Sequence, residues 1–281
     1  VRQRTLTPSF QGSNPCSPAT KLQPNALEFS LYKEGEAMYS YKTRIRYSEL
    51  DATGHLKIES LLDYFQDCST FQSEDLGIGA EYLKKQHMVW VMSYWQIQVE
   101  RYPVLGETVT VGTLPYEFKG FMGFRNFVMI DEEGKRIACA NTLWSLIHTE
   151  NATPMRPTEE MIGKYVLEPK IQMDYEPRKI KVPEKLSPGS EIQIKSHHLD
   201  TNQHVNNGQY VKIAMDCITK MPQIIQLRAE YRKQAYLNDI LIPYTAVTEE
   251  GRYIVVLKNE QDAVCCIVEL QGKECYGKDK K

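Results

Sequence analysis

Apolar and polar residues along this chain fall into two periods that alternate in blocks. Ile58, Leu61, Leu62, Phe65 and Ser69 follow the i, i+3, i+4 spacing of one buried helix face, and Tyr210, Val211, Ala214, Cys217 and Ile218 do the same further on. After each helical block the period drops to two. Val89, Val91, Ser93, Trp95, Ile97 and Val99 alternate with Trp90, Met92, Tyr94, Gln96, Gln98 and Glu100, which predicts a long strand with two distinct faces. Residues 108–114, 121–130 and 136–148 read as three further strands. Asp131-Glu132-Glu133-Gly134 is the hairpin loop between the last two, its glycine placed where a positive φ is needed. The second half repeats the plan, with strands expected over 224–234, 240–248, 253–259 and 263–270 and a turn at Glu249-Glu250-Gly251.

The two halves also share a motif. Leu50-Asp51-Ala52-Thr53-Gly54-His55 and Leu199-Asp200-Thr201-Asn202-Gln203-His204 both read L-D-x-x-x-H, 149 positions apart, and Asp67-Cys68 matches Asp216-Cys217 at the same offset. Each half is therefore a strand, a loop, one long helix and four antiparallel strands. One helix covers a sheet of that size only if the sheet curls around it. The expected fold is α+β: two tandem hotdog domains, each a curved antiparallel sheet wrapped around one long helix, paired as a pseudo-dimer. The expected boundaries are 38–150 and 189–272, joined by a linker over 151–188 that holds six prolines. Residues 273–281 form a charged tail. Residues 1–37 carry no period and no apolar signal core. They are expected to be a disordered or vector-derived leader, with Met38 as the natural start.

Composition narrows the partners. A formal net charge of −2 over 281 residues argues against a nucleic-acid partner. No apolar run approaches the ~20 residues that cross a bilayer, so no membrane partner is expected. Seven cysteines, an odd number without a C-x-x-C pair, signal neither a disulfide framework nor a zinc site. No metal or cofactor is expected. Reduced thiols fit a cytoplasm, and Cys265-Cys266 in its apolar run reads as packing.

The chemistry concentrates at the second motif. Asp200, Asn202 and His204 alternate, so an extended segment would put all three on one side. His204 donates a hydrogen bond or acts as a base near neutral pH. Asp200 can hold the imidazole in one tautomer, and Asn202 offers an uncharged amide donor. A helix begins directly afterwards, with Asn206 or Asn207 as N-cap and Val205 as a hydrophobic staple. Free N–H groups at such a helix start favour developing negative charge. A capped turn with a hydrogen-bonded histidine fits the spacing equally well. In the first-half copy Thr53 replaces Asn202, Gly54 replaces Gln203 and Leu56 replaces Val205. That is the pattern of a duplicated domain with one surviving site.

Several segments carry a resemblance: Arg46-Tyr47-Ser48-Glu49-Leu50-Asp51, Val99-Glu100-Arg101-Tyr102-Pro103, residues 140–147, 200–210 and Ala229-Glu230-Tyr231-Arg232-Lys233-Gln234. Over about residues 38–270 the chain resembles the acyl-acyl-carrier-protein thioesterases, of the bacterial tandem-hotdog kind related to plant plastid enzymes. The resemblance implies hydrolysis of fatty acyl thioesters to free fatty acid and carrier thiol, ending chain elongation. It implies Asp200, Asn202 and His204 as the catalytic group on the C-terminal half. The helix around residues 58–73 would line the acyl pocket, with Leu61, Leu62, Phe65 and Met92 as candidates. Val205, Asn206 and Asn207 would stand at the thioester. The implied partner is acyl carrier protein, an acidic surface that basic residues would meet near the pocket mouth. The implied compartment is a bacterial cytoplasm rather than a plastid stroma, and a homodimer is left open. One departure stands out. Where the family places a glutamate, followed in plants by cysteine, this chain has Gln234-Ala235. Gln234 cannot accept a proton but can orient water. Competing readings are an acyl-CoA thioesterase, a hotdog hydratase or dehydratase, and a non-catalytic acyl-thioester-binding protein.

Overall fold

The period-two blocks form strands and the period-3.6 blocks form helices in the computed structural model, which describes residues 38–219 and 222–273. The expected leader, and all of the charged tail but its first residue, lie outside the described residues. The N-terminal half holds β1 (Tyr39–Arg44), α1 (Ile58–Asp75), a short α2 (Ala80–Lys85), β2 (Met88–Val99), β3 (Thr108–Lys119), β4 (Met122–Ile130) and β5 (Arg136–His148). A short helix α3 (Glu159–Lys164) follows. The C-terminal half holds β6 (Ser187–Pro188), β7 (Ile192–Gln193), α4 (Asn207–Asp216), β8 (Gln223–Tyr231), β9 (Ile240–Val247), β10 (Tyr253–Asn259) and β11 (Val264–Lys273).

All recorded strand pairs are antiparallel, in the order β1-β3-β4-β5-β2-β8-β11-β10-β9-β6, with β7 also on β9. The order is a palindrome of roles. β2, β5, β4 and β3 on one side correspond to β8, β11, β10 and β9 on the other. The halves meet where β2 pairs with β8, Trp95 opposite Ala229 and Ile97 opposite Leu227. Each half curls around its helix, which is the hotdog arrangement, and the two form the expected pseudo-dimer.

Helix α1 turns Ile58, Leu61, Leu62, Phe65, Cys68, Ser69 and Gln72 inward. Full burial of each large apolar side chain there contributes roughly 1.5–3 kcal/mol. The helix stops at Gly77, whose φ of +70° lets Gly77 N–H reach Glu74 O and Ile78 N–H reach Ser73 O. Helix α4 is shorter: Tyr210, Val211 and Ala214 are buried as expected, but Cys217 and Ile218 fall beyond its end. The expected strand over 224–234 also ends early, at Tyr231. There Arg232 N–H and Lys233 N–H both turn to Cys265 O, and the chain leaves the sheet.

The segment 151–188 crosses the outer face of both halves. Ile171 packs with Met38, Leu114, Val128 and Cys139, and Ile180 packs with Ile254, Val256 and Ile267. Beneath it lies a buried ion network in which Arg228 meets Glu269 at 2.8 Å and Arg252 meets Glu269 at 3.0 Å. Among the described residues no helix is long and apolar enough to cross a membrane.

Candidate active site

The motif segment folds as a tight turn and is not extended. Asp200 N–H reaches His204 O at 2.8 Å, and Gln203 N–H reaches Asp200 O at 3.1 Å. Asp200 Oδ1 accepts from Asn202 N–H at 2.8 Å and from His204 N–H at 3.2 Å. Closing this turn takes a positive φ at Gln203, +63°. A short-range carboxylate–backbone bond competes with extension and wins, which is the ordinary behaviour of aspartate at a turn. The carboxylate therefore organises the loop through the backbone, and the His204 ring is not its partner.

The first-half copy has the same backbone. Asp51 N–H reaches His55 O at 2.8 Å, Gly54 N–H reaches Asp51 O at 3.1 Å, and Gly54 has a φ of +82°. Asp51 Oδ1 takes Thr53 N–H at 2.8 Å and His55 N–H at 3.1 Å. The side chains differ. Thr53 Oγ1 donates to Asp51 Oδ1 at 2.7 Å and lies 3.0 Å from His55 Nδ1. Burial raises the Asp51 carboxyl's pKa, but the bonds from Thr53 and His55 outweigh it and hold the pKa below its ordinary value. In the second loop neither the Asn202 amide nor the His204 ring nitrogens make a hydrogen bond among the described residues. The His204 ring instead packs edge-to-face with Tyr236, centroids 5.0 Å apart at 78°.

Tyr236 is the site neighbour that sequence reasoning missed. It is half exposed, and its hydroxyl donates to Gln234 Oε1 at 3.4 Å, so it stands between Gln234 and His204. Gln234 lies in the loop after β8. That loop is pinned to the motif twice: Val205 N–H donates to Ala235 O at 3.0 Å, and Ala235 N–H donates to Tyr210 Oη at 2.9 Å. The structure thus brings Gln234 beside the motif although about thirty residues separate them in sequence. Glu230, on the same stretch, is engaged elsewhere, with Arg232 at 2.9 Å and Ile180 N–H at 3.2 Å.

Helix α4 starts beside this loop. Asn206 is the N-cap, its Oδ1 accepting from Gly208 N–H at 2.8 Å. Asn207 O accepts from Tyr231 Oη at 3.0 Å, and Asn207 Nδ2 donates to Gln66 Oε1 of α1 at 3.4 Å. A Cβ on Gly208 would stand 3.2 Å from Asn206 Oδ1, crowding the N-cap, and in ordinary contact, 3.5 Å, with Asp63 Oδ1 of α1. Asp63 is open to solvent on one side. Its pKa is pushed up to about 6 by partial burial and by Asp67, Glu59 and Glu49. On the other side of the loop, burial and then His197, Lys212 and Lys195 depress the His198 pKa.

Leu61, Leu62, Phe65 and Met92 all lie in the main core between α1 and the inner sheet face, and Phe65 stacks on Trp95 and Phe127. Val205 is buried in the same core. A shallow groove of about 280 Å³ lies between Cys217, Ile218, Thr245 and Tyr253. It opens at the far end of α4, about 15 Å from the motif at ~1.5 Å per residue, and no expected site residue lines it. Burial pushes the Cys265 and Cys266 thiols up, which keeps them protonated, in keeping with packing. No metal-ligand cluster occurs among the described residues.

A family model described as the acyl-ACP thioesterase N-terminal domain matches residues 36–165, and one described as the acyl-ACP thioesterase C-terminal domain matches residues 181–279. A chloroplastic acyl-[acyl-carrier-protein] hydrolase of Cuphea viscosissima is 24% identical over 221 residues, covering 72% of this chain and 52% of that protein. The chloroplastic oleoyl-acyl carrier protein thioesterase 1 of Arabidopsis thaliana is 23% identical over 245 residues, 79% of this chain and 67% of that protein. The chain spans little more than half the length of the Cuphea viscosissima relatives it matches. Among solved structures, an acyl-ACP thioesterase from Bacteroides thetaiotaomicron has a TM-score of 0.72 at 23% identity over 83% of this chain and 96% of that one. The 12:0-ACP thioesterase from Umbellularia californica has a TM-score of 0.72 at 20% identity over 83% of this chain and 96% of that one. At these identities the two structures show the shared fold.

Proposed function

Because this chain belongs to the acyl-ACP thioesterase family, we propose that it hydrolyses fatty acyl thioesters of acyl carrier protein, releasing free fatty acid and the carrier thiol. The observation that carries this reading is the difference between the two loops. They share one backbone, but only the second leaves an imidazole and an amide unspent beside a helix start.

Under this reading Asp200 sets the loop by its two backbone bonds and so fixes His204 and Asn202. The thioester carbonyl sits at the start of α4, where the Asn202 amide and the Asn207 N–H receive its oxygen as charge develops. His204 takes a proton from the attacking water. As the tetrahedral intermediate collapses and the C–S bond breaks, His204 returns that proton to the leaving sulfur. Gln234, its Oε1 held by Tyr236, orients the water with its amide group. The acyl chain lies between α1 and the inner sheet, against Leu61, Leu62, Phe65 and Met92. Lys195 and Lys212, close enough to His198 to affect it, supply positive charge for an acidic carrier protein. The buried free thiols Cys68, Cys139, Cys265 and Cys266 suit a cytoplasmic setting.

The test is thiol release measured across acyl chain lengths, with carrier-protein and coenzyme A substrates side by side. Faster release from the carrier-protein substrates is expected. Enoyl product in place of free thiol would point to a dehydratase, and binding without turnover would point to an acyl-thioester-binding protein.

A further inference from the structure

Among the described residues one buried side-chain polar atom lacks a hydrogen-bond partner: Nε1 of Trp95. Trp95 has no exposed surface at all. A buried donor left unmet is destabilising, so such an atom in a native core asks for a reason. Its place in the fold is specific. Trp95 is on β2, directly opposite Thr142 of β5, which is itself opposite Arg125 of β4. Opposed residues share a face, so Arg125, Thr142 and Trp95 form one row across the inner surface of the N-terminal half, beneath α1.

The row holds donors, and its acceptors are already turned to donors other than the indole. Thr142 Oγ1, the nearest candidate by register, donates to Arg125 O at 3.0 Å and accepts from Trp144 Nε1 at 3.1 Å. Gln72 Oε1 and Thr113 Oγ1 accept from Arg125 at 2.6 and 3.0 Å. Arg125 itself, buried with these neutral partners and the Tyr165 ring, has no acceptor to give. Aromatic faces do not serve either. The Phe65 and Phe127 rings lie at 25° and 35° to the indole plane, and an N–H in that plane is not directed onto them.

We propose that the N-terminal half takes acyl chains bearing an acceptor oxygen, a hydroxyl or oxo group on the chain, which receives the Trp95 indole N–H. The inference rests on the reading that the acyl chain lies between α1 and the inner sheet, where Trp95 touches Phe65. A purely hydrocarbon chain leaves the indole unmet. A chain oxygen meets it, and the gain is one hydrogen bond in a dry site, about five- to tenfold in affinity.

The test uses the full chain labelled with nitrogen-15 tryptophan. Its three tryptophans give three indole resonances, and Trp95→Phe identifies one of them. Trp90→Phe and Trp144→Phe identify it by elimination should the first variant fold poorly. The labelled protein is titrated with dodecanoic acid and with dodecanoic acids hydroxylated at successive chain positions. At least one hydroxy acid should move the Trp95 indole proton downfield and bind five- to tenfold more tightly than dodecanoic acid, and Trp95→Phe should erase that margin. The margin is a ratio within one protein sample, so a partly folded variant does not distort it. If every hydroxy acid leaves the Trp95 resonance where dodecanoic acid leaves it, or if the margin survives Trp95→Phe, the proposal is overturned. Thiol release from dodecanoyl thioester is followed separately. Release without a Trp95 response overturns this proposal and leaves the hydrolysis reading standing, and a Trp95 response without release does the reverse.

Discussion

The Asp51–His55 and Asp200–His204 loops share their fold and differ in their chemistry. In both, an aspartate accepts two backbone N–H groups, the third residue after it has a positive φ, and a short 3-10 turn precedes it. In the first, Thr53 bridges the carboxylate and the imidazole, and the loop is satisfied within itself. In the second, the Asn202 side chain makes no such bridge, and the His204 ring packs against Tyr236. The supporting turns diverge in the same way. Glu49 accepts from Arg46 N–H at 2.8 Å and from Tyr64 Oη at 2.6 Å, whereas His198 Nδ1 accepts from Lys195 N–H at 3.0 Å. A duplicated backbone can thus keep its shape while one copy stays closed and the other leaves its polar groups free to act.

The comparison breaks first at the histidines. His204→Ala should lower thiol release by about 10²–10⁴-fold with an unchanged melting temperature, while His55→Ala should leave the rate within about twofold. Steady-state kinetics and calorimetry on both variants check this, and equal losses would remove the distinction between the loops. The next effect is Asn202→Thr, which imports the first loop's bridge. The new hydroxyl would satisfy Asp200 and His204 internally, so kcat should fall about 10–100-fold with the fold retained.

Gln234→Glu tests the opposite direction. It supplies a proton acceptor beside Tyr236, and the rate at neutral pH should rise several-fold, with a new acidic limb as the carboxyl titrates. An unchanged or lower rate would favour His204 as sole base. The smallest effect concerns the backbone. Gln203 holds the positive φ that glycine holds in the first loop. Gln203→Gly should relieve about 1 kcal/mol, seen as a rise of about 2–4 °C in melting temperature with little change in rate.

Much of this fold was legible because burial imposes a period. The inward face of α1 and the strands 136–148 and 253–259 appear where hydrophobic alternation places them. The ends were less legible, since Cys217 and Ile218 continue a helical pattern that the chain abandons at Asp216. At the motif, alternation of Asp200, Asn202 and His204 suggested extension. No periodicity argument weighs a carboxylate that can reach its own backbone, and here that local bond decided the conformation. Tyr236 left no sequence signal, because its partners Gln234 and His204 come together only when Ala235 docks on Val205 and Tyr210.

By itself the sequence determined the duplication, the α+β hotdog plan and the place of the candidate chemistry in the second half. These are set by periodicity and by repeated residue types, which act locally. The tertiary structure decided which polar groups stay unspent. Thr53 closes one loop, Tyr236 props the other, and Trp95 is left with a donor and no acceptor. The physical reason is that a side chain's hydrogen-bonding capacity is consumed by whatever neighbour the fold brings to it, and those neighbours lie on other strands and helices, distant in sequence.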